Sequence, residues 1–145
     1  MPIHGDGGHA KVVRELNIWP ADGWIIAVGD NSARQREARN YERFAIGRHP
    51  SAVISKTATI GEGTVIMAGV VVQAAAVIGK HCIINAGAIV CHHCVIEDFA
   101  HIAPGVHLCG GVHVGEGALV GVGSCAVPGA SVAPWVVIPA GSVIK

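Results

Sequence analysis

The chain has 145 residues, enough for one domain or two small ones, and 51% of them are hydrophobic. Ten basic residues balance ten acidic ones, so no basic patch indicates a nucleic-acid partner. No apolar run reaches the length of a membrane-spanning helix, and the first residues lack the apolar segment of a secretory signal. These features predict a cytoplasmic protein without membrane insertion. Residues 1–48 hold thirteen of the twenty charges, which predicts a domain boundary between 1–48 and 49–145.

Residues 1–48 are predicted to form a small βα-type unit. A glycine-rich turn, Gly5–His9, precedes the first predicted helix and can present backbone N–H groups to a phosphate. The same glycines also suit a tight turn that needs a positive φ. The predicted elements are a strand at Met1–His4, a helix at Ala10–Leu16, a strand at Trp24–Val28, a helix capped by Asn31 or Ser32 and running to about Arg43, and a strand at Phe44–Ile46.

The rest of the chain follows a six-residue repeat. A large aliphatic residue returns every sixth position from Ile54 to Ile144, with Ala126 as the one exception, and a small or β-branched residue follows four places after each. A period of six would scatter these residues around a helix, and a flat strand would not need a turn-forming residue in every repeat. Short strands joined by turns, stacked to share one core, satisfy both observations. The pattern therefore predicts a β-solenoid.

The places directly before the aliphatic series are predicted to face outward, yet many of them are apolar. Such a surface is too apolar for an isolated solenoid and predicts a buried interface between subunits. The residues concerned are Val53, Val65, Val71, Val77, Ile83, Ile89 and Val95. The five cysteines all lie in the repeat region, are odd in number, and are interpreted as free thiols.

The hexads resemble the hexapeptide-repeat left-handed β-helix, many members of which are trimeric acyltransferases. Three further segments, Gly5–Val13, Ile26–Asn31 and His49–Ile54, are similar to the nucleotide-amino-sugar N-acetyltransferases and sialic-acid O-acetyltransferases of bacterial glycan synthesis. The resemblance implies a mainly β fold: a left-handed parallel β-helix preceded by a small, truncated Rossmann-like α/β domain. One βα element of that family is missing between Asn17 and Gly23. The resemblance also implies a homotrimer.

The segment Ile89–Ile102 resembles the catalytic stretch of that family. The resemblance implies that His92 is the general base, a role that suits imidazole because it titrates near working pH. His93 stands where the family usually has a carboxylate that orients the base, and either His93 or an acid such as Glu97 or Asp98 fills that role. The remaining implied sites are His101, Gly110, Gly121 and Val122 for acetyl-CoA, with the Gly110 N–H on the thioester oxygen, and Gly5, Gly7, Gly8 and His9 for the nucleotide sugar.

The other histidines are sorted by their place in the hexad. His101, His107 and His113 each come one place before an aliphatic residue, so they are predicted to point outward on three different sides. For His81, His107 and His113 the expected state is a solvated side chain. The related γ-class carbonic anhydrases hold zinc between subunits with three histidines, but their paired spacing is not found in residues 54–145. No metal is therefore expected.

These observations favour an acetyltransferase that moves acetyl from acetyl-CoA to the amino group of a nucleotide-linked 4-amino-4,6-dideoxy sugar for a bacterial surface glycan. Acetyl-CoA is the co-substrate in this hypothesis. Two alternatives stay open: an O-acetyltransferase acting on a sugar such as sialic acid, and a non-catalytic β-helix trimer that serves as a scaffold.

Overall fold

The computed structural model describes residues 3–19 and 22–145. The N-terminal region contains β1 (Ile3–His4), α1 (Gly8–Val13), β2 (Asn17–Trp19), β3 (Ile25–Ile26), α2 (Asn31–Ala38) and β4 (Ile46–Arg48). β1 and β3 form a two-stranded parallel sheet, whereas β2 runs antiparallel to β4. β4 in turn pairs with a strand of the solenoid, so this edge of the repeat sheet begins before residue 49. Within the described ranges, no helix is long and apolar enough to cross a membrane.

The repeat region is a parallel β-solenoid, as the period of six predicts. Each strand pairs in parallel with the strand three places later, so stacked residues are eighteen apart in sequence. The strands form three sheets. Sheet 1 contains β7 (65–66), β10 (83–84), β13 (101–102), β16 (119–120) and β19 (137–138); sheet 2 contains β5 (53–54), β8 (71–72), β11 (89–90), β14 (107–108), β17 (125–126) and β20 (143–144); sheet 3 contains β6 (59–60), β9 (77–78), β12 (95–96), β15 (113–114) and β18 (131–132).

The solenoid core consists of the predicted aliphatic series and the small residues that follow it. From Ile66 to Val132 every member of the aliphatic series is buried, and only Ile54, Ile60 and Ile138, near the two ends, are partly exposed. Complete burial of one such side chain stabilises the fold by about 1.5–3 kcal/mol. Each coil contributes three of them, so stability accumulates along the stack rather than within any one repeat.

Arg34 links helix α2 to the solenoid through hydrogen bonds. Its side chain is 1% exposed, and its guanidinium donates to the carbonyls of His81 and Phe99 in the solenoid at 2.8 and 2.7 Å. It also donates to Val28 O at 2.9 Å and to Asn31 Oδ1 at 2.8 Å. Burial lowers the pKa of Arg34 to about 10, which leaves the group charged at neutral pH. Because its acceptors come from both regions, this one side chain fixes the N-terminal unit against sheet 1.

The N-terminal unit covers part of the surface that was predicted to be outward. Val65 and Ile83 on sheet 1 are 2% and 0% exposed, so this chain itself covers two of the seven outward aliphatics. His81 was predicted to be solvated, and this prediction was wrong. Its ring is buried, stacked on Phe99 at 5.0 Å and edge-on to Phe44 at 4.4 Å. The place of a residue in the hexad predicts whether its side chain points inward or outward. It does not predict which other segments of the chain cover that side chain.

Stability is expected to fall in acid because of His81. Burial, with a smaller contribution from Arg34, lowers its pKa to about 4 despite the opposing charges of Glu62 and Asp98. The unfolded chain takes up this proton near the ordinary value of 6.5. The stabilisation is therefore complete above about 6.5 and is lost as pH falls toward 4, at up to about 1.4 kcal/mol per pH unit. Urea unfolding measured across this range tests the slope.

The control for this measurement is a variant that cannot take up the proton. His81→Asn keeps a residue that tolerates a positive φ, so it should be less stable at neutral pH yet show a shallower acid dependence. His107→Asn, at an exposed strand position, should leave the slope unchanged. An equal slope in wild type and His81→Asn would contradict the assignment. His9 and His101 also have pKa values of about 4 and account for the residual slope.

Several boundary predictions for the N-terminal region differ from the structure. Helix α1 begins at Gly8 rather than Ala10, and β3 spans Ile25–Ile26 rather than Trp24–Val28. Helix α1 ends at Val13 rather than Leu16, and α2 ends at Ala38 rather than near Arg43. α2 stops early because Tyr41 packs on Trp24, with ring centroids 4.5 Å apart, and Trp24 bridges to Phe44. The last predicted strand lies two residues later, as β4. Met1 and Pro2 of the first predicted strand, and residues 20–21 of the shortened connection, lie outside the described residues.

Candidate active site

His92 and His93 lie in the turn between β11 and β12, at the corner where sheets 2 and 3 meet. Their Nδ1 atoms are 3.0 Å apart, so one ring donates a hydrogen bond to the other. The His92 backbone N–H donates to Gln73 Oε1 at 3.1 Å, and its carbonyl accepts from Gly111 N–H at 3.0 Å. His93 adopts a left-handed conformation with φ of +58°. The turn thus holds two exposed imidazoles in direct contact on a backbone anchored to the coils on either side.

Gly110 lies one coil beyond His92 and makes room for its ring. A Cβ at position 110 would stand 2.5 Å from Cε1 and 2.7 Å from Nε2 of His92, so only glycine permits this ring position. Among the described residues, the Gly110 N–H has no protein acceptor within hydrogen-bond distance. A donor without a partner beside a basic imidazole is suited to an oxygen that gains negative charge.

His101 lies on β13 of sheet 1, the side of the solenoid opposite the His92 corner. Its Nε2 is 3.2 Å from Asn85 Nδ2, and Asn85 Oδ1 accepts from the Ala86 N–H. Asn85 is therefore the donor, His101 Nε2 is the acceptor, and we assign the proton to His101 Nδ1. Burial, together with Arg34 and His9, lowers the pKa of His101 to about 4, so the ring is neutral at working pH.

The remaining predicted acetyl-CoA residues lie at a third place. Gly121 and Val122 form the turn between β16 and β17, where sheets 1 and 2 meet. A Cβ on Gly121 would meet Ile138 O at 2.5 Å, so contact with the next coil also requires glycine there, whereas Val122 is exposed. Within one chain the structure brings His92, His93 and Gly110 together, and it keeps His101, Gly121 and Val122 apart from them.

The glycine-rich turn forms a cleft in the N-terminal unit. Gly5, Gly7, Gly8 and His9 line a space of about 650 Å³ together with Ala27, Val28 and Gly29. Gly5 has a φ of +125°, and Gly7 precedes the first residue of α1. Added Cβ atoms on Gly7 and Gly8 would meet nothing within 4 Å, so these two leave space open to a ligand. His9 is partly buried, its Nε2 has no hydrogen-bond partner, and burial and Arg34 lower its pKa to about 4.

The acids considered as partners for His92 are engaged elsewhere. Glu97 contacts His113 Nε2 at 2.8 Å and accepts from the Glu116 N–H, while Asp98 accepts from the Lys80 N–H. Both lie at the corner between sheets 3 and 1, so neither orients His92 of the same chain. His113 is correspondingly paired rather than freely solvated, and His107 is exposed as predicted. Among the described residues, no group of three or more His, Cys, Asp or Glu side chains could hold a metal ion.

Several residues that shape the site were not predicted from the sequence. Gln73 holds the His92 backbone, Asn85 fixes the tautomer of His101, and Asn31 donates to Gly117 O and Ala118 O across to the solenoid. Asn31 was predicted as a possible helix cap, but Asp30 caps α2 by accepting from the Ala33 N–H at 2.7 Å. The eighteen-residue coil length was the signal available for Gln73, which lies nineteen residues before His92.

Comparison with known proteins agrees with this architecture. A family profile described as "Bacterial transferase hexapeptide (six repeats)" matches residues 57–92. The acetyltransferase domain of PglB from Neisseria gonorrhoeae FA1090 is 31% identical, with a TM-score of 0.92, and the match covers 99% of this chain and 90% of that one. PerB from Caulobacter crescentus, solved in complex with CoA and GDP-perosamine, is 35% identical, with a TM-score of 0.91 and coverage of 99% and 87%.

A curated relative points the same way. UDP-N-acetylbacillosamine N-acetyltransferase of Bacillus subtilis (strain 168) is 38% identical, and the match covers 47% of this chain and 51% of the relative. The chain thus spans about half the length of that protein. A solenoid of hexapeptide repeats with a histidine pair in one turn defines a hexapeptide-repeat acyltransferase. Within that class, the chain belongs to the sugar N-acetyltransferase family that contains these relatives.

Proposed function

We propose that the protein transfers an acetyl group from acetyl-CoA to the amino group of a nucleotide-linked 4-amino-4,6-dideoxy sugar. The observation that carries this proposal is the His92–His93 pair seated over Gly110. It combines a base, a partner that orients the base, and an unpaired N–H donor from the next coil at one corner of the solenoid. The similarity to PerB, solved with CoA and GDP-perosamine, supports the substrate class.

The chemistry requires a base for the amine proton and a donor for the developing oxyanion. With His92 Nδ1–H donating to His93 Nδ1, the lone pair of His92 Nε2 is free to accept the proton of the incoming amine. The amine attacks the thioester carbon, the Gly110 N–H stabilises the carbonyl oxygen, and the CoA thiolate leaves without a covalent enzyme intermediate. His93 orients His92 by hydrogen bonding but supplies no negative charge. A nitrogen that has attacked the thioester carries a proton as acidic as that of an ammonium ion, whereas a sugar hydroxyl is much less acidic, so this arrangement suits an amine better.

A homotrimer with active sites between subunits is part of the proposal. His92 and His101 lie on opposite sides of one chain, so a site that uses both needs a neighbouring copy. The outer surfaces of sheets 2 and 3 support this assembly, because Val53, Val77 and Val95 are 65%, 45% and 39% exposed. In that assembly His101, Gly121 and Val122 would contact acetyl-CoA, with the His101 Nδ1–H as the polar donor.

The remaining parts of the proposal concern the N-terminal unit and the setting. Gly5, Gly7, Gly8 and His9 would bind the nucleotide diphosphate through backbone N–H groups and the open space at Gly7 and Gly8. We further propose that this unit, residues 1–48, is a truncated Rossmann-like domain. Residues 49–145 would form the left-handed β-helix domain, and the enzyme would work in the cytoplasm.

The decisive experiment measures CoA-thiol release from acetyl-CoA with a panel of UDP-, GDP- and dTDP-linked 4-amino sugars. Turnover with one sugar, together with a trimeric mass in solution, is the expected result. Acetylation of a sialic acid with no reaction on amino sugars would favour the O-acetyltransferase. A trimer that neither binds acetyl-CoA nor releases CoA thiol would favour the non-catalytic scaffold.

A further inference from the structure

Trp135 places a large aromatic ring at a turn position that is glycine in most repeats. It follows β18 in the turn between sheets 3 and 1, and its φ is +60°, a region that bulky residues rarely occupy. His81 and Phe99 have similar positive φ values at stacked places, but their rings pack on one another and, through Phe44, on the N-terminal unit. The Trp135 side chain is 43% exposed. A positive φ recurs at every sixth residue from Gly63 to Gly141, so it belongs to the turn of the repeat, and what distinguishes Trp135 is a large ring that is partly exposed.

The indole of Trp135 rests on the coil before it. A Cβ added to Gly117, eighteen residues earlier, would collide with Cε3 and Cδ2 of the ring, so glycine at 117 is what allows the indole to lie there. The ring is therefore supported on one side by backbone and open elsewhere. An aromatic ring fixed in this manner is a rigid platform of the kind that stacks on flat or apolar ligand surfaces.

Trp135 lines one wall of a cleft of about 510 Å³ between the solenoid and the start of α2. The apolar wall also contains Leu119 and Val137 of sheet 1. The opposite side is polar, with His101 and the segment Gly29–Ser32. The mixture of apolar and polar walls fits a small-molecule site.

The polar groups of this cleft restrict what it can bind. His101 is held as the neutral Nδ1–H tautomer by Asn85, and this single donor is the one proposed above for acetyl-CoA, so Asp30 and its neighbours are the polar groups left for an acceptor. Hydrogen bonds from Ala33 N–H and Ser32 Oγ lower the pKa of Asp30, which keeps its carboxylate charged at the mouth of the cleft. A carboxylate in this position repels phosphate and suits an ammonium group or hydroxyl groups.

We propose that this cleft holds the sugar ring of the acceptor and that Trp135 is a specificity-determining residue, stacking on the apolar C–H face and the 6-deoxy methyl group. The inference rests on the function proposed above and assigns the position of one part of the substrate. Gly29 borders both this cleft and the Gly5–His9 cleft, so a diphosphate in the latter leaves the attached sugar directed toward Trp135. The sugar amine would then meet His92 of a neighbouring copy.

The test compares Trp135→Gly with Trp135→Phe in steady-state kinetics, using the nucleotide-linked 4-amino-4,6-dideoxy sugar that the wild type turns over. Glycine removes the ring at a place where other coils already carry glycine, so the fold should be retained, and melting temperature checks this. We expect KM for the amino sugar to rise about tenfold or more in the glycine variant, with KM for acetyl-CoA unchanged and most of the loss restored by phenylalanine.

A second readout uses the matching sugar with a 6-hydroxyl group. The wild type should prefer the 6-deoxy substrate, and Trp135→Gly should lose that preference. A rise in KM for acetyl-CoA, with KM for the amino sugar unchanged, would overturn the inference. It would indicate that Trp135 contacts the co-substrate. Unchanged kinetics in Trp135→Gly would also overturn the inference. Loss of the trimer, with unchanged KM values in the fraction that stays trimeric, would overturn it as well. Absence of wild-type turnover with every nucleotide amino sugar would instead overturn the proposed function, and this inference with it.

Discussion

Replacing His92 with alanine is expected to lower kcat by about 10²–10⁴-fold, the usual contribution of a positioned general base. The substitution removes Nε2, the one atom at this corner that can take the amine proton while His93 holds the other ring nitrogen. Because the side chain is exposed in a turn, folding and acetyl-CoA binding should persist. CoA-thiol release at saturating substrates, with thermal melting and acetyl-CoA binding measured beside it, tests this result.

The matched control is His49→Ala, which removes a partly exposed imidazole just after β4 that, among the described residues, is hydrogen-bonded only to nearby Ser51. Its kcat should equal that of the wild type. His93→Ala should lower kcat by a smaller factor and have no further effect in the His92→Ala background, because His93 acts through His92. Retention of more than a tenth of wild-type kcat in His92→Ala would remove His92 from the mechanism.

Adding a single methyl group at Gly110 is expected to displace the imidazole of His92 from its catalytic position without changing the imidazole itself. In Gly110→Ala the new Cβ would stand 2.5 Å from His92 Cε1, so the imidazole must leave its position. A displacement of about 1 Å in a catalytic group can lower the rate about 10²-fold, and we expect at least that loss in kcat. A lower melting temperature should accompany it, because the turn must rearrange.

A double-variant cycle isolates the steric cause. In the His92→Ala background the ring is absent, so Gly110→Ala should change neither the melting temperature nor the residual rate. Additive effects of the two substitutions would mean that Gly110 acts independently of His92, for instance through the position of its own N–H. Unaltered activity in the single Gly110→Ala variant would contradict the ring position of His92, whereas the proposed oxyanion donor is not tested by it because alanine keeps the backbone N–H.

The solenoid could be predicted from sequence because the residues that stabilise it recur with a fixed period. An inward aliphatic residue at every sixth position fixes which side chains enter the core, and the turn positions follow from that register. The N-terminal region lacks such repetition. Its strands are two or three residues long, and its second helix ends where Tyr41 and Trp24 pack together, a tertiary contact that local propensity does not encode.

The candidate site could be predicted only in part, for a related reason. Family resemblance pointed to His92, His93 and Gly110, and the coil length explains why two residues eighteen apart meet. The burial of His81 depends on the N-terminal unit covering sheet 1, and the fixed tautomer of His101 depends on Asn85 from the coil before. Neither Arg34, whose partners are mostly backbone carbonyls, nor Trp135 left a recognisable pattern in the sequence.

The stacking of positions eighteen residues apart has a consequence for how this fold can be altered by evolution or by engineering. Ala74, His92, Gly110 and Pro128 form one vertical series along a single edge, so a change at any of them is felt mainly by its immediate neighbours above and below. Duplicating or deleting eighteen residues elsewhere in the stack would lengthen or shorten the solenoid by one coil. The neighbours of each residue at this edge would stay the same. An insertion within the coils whose length is not a multiple of eighteen would move every later residue to a different place in the coil.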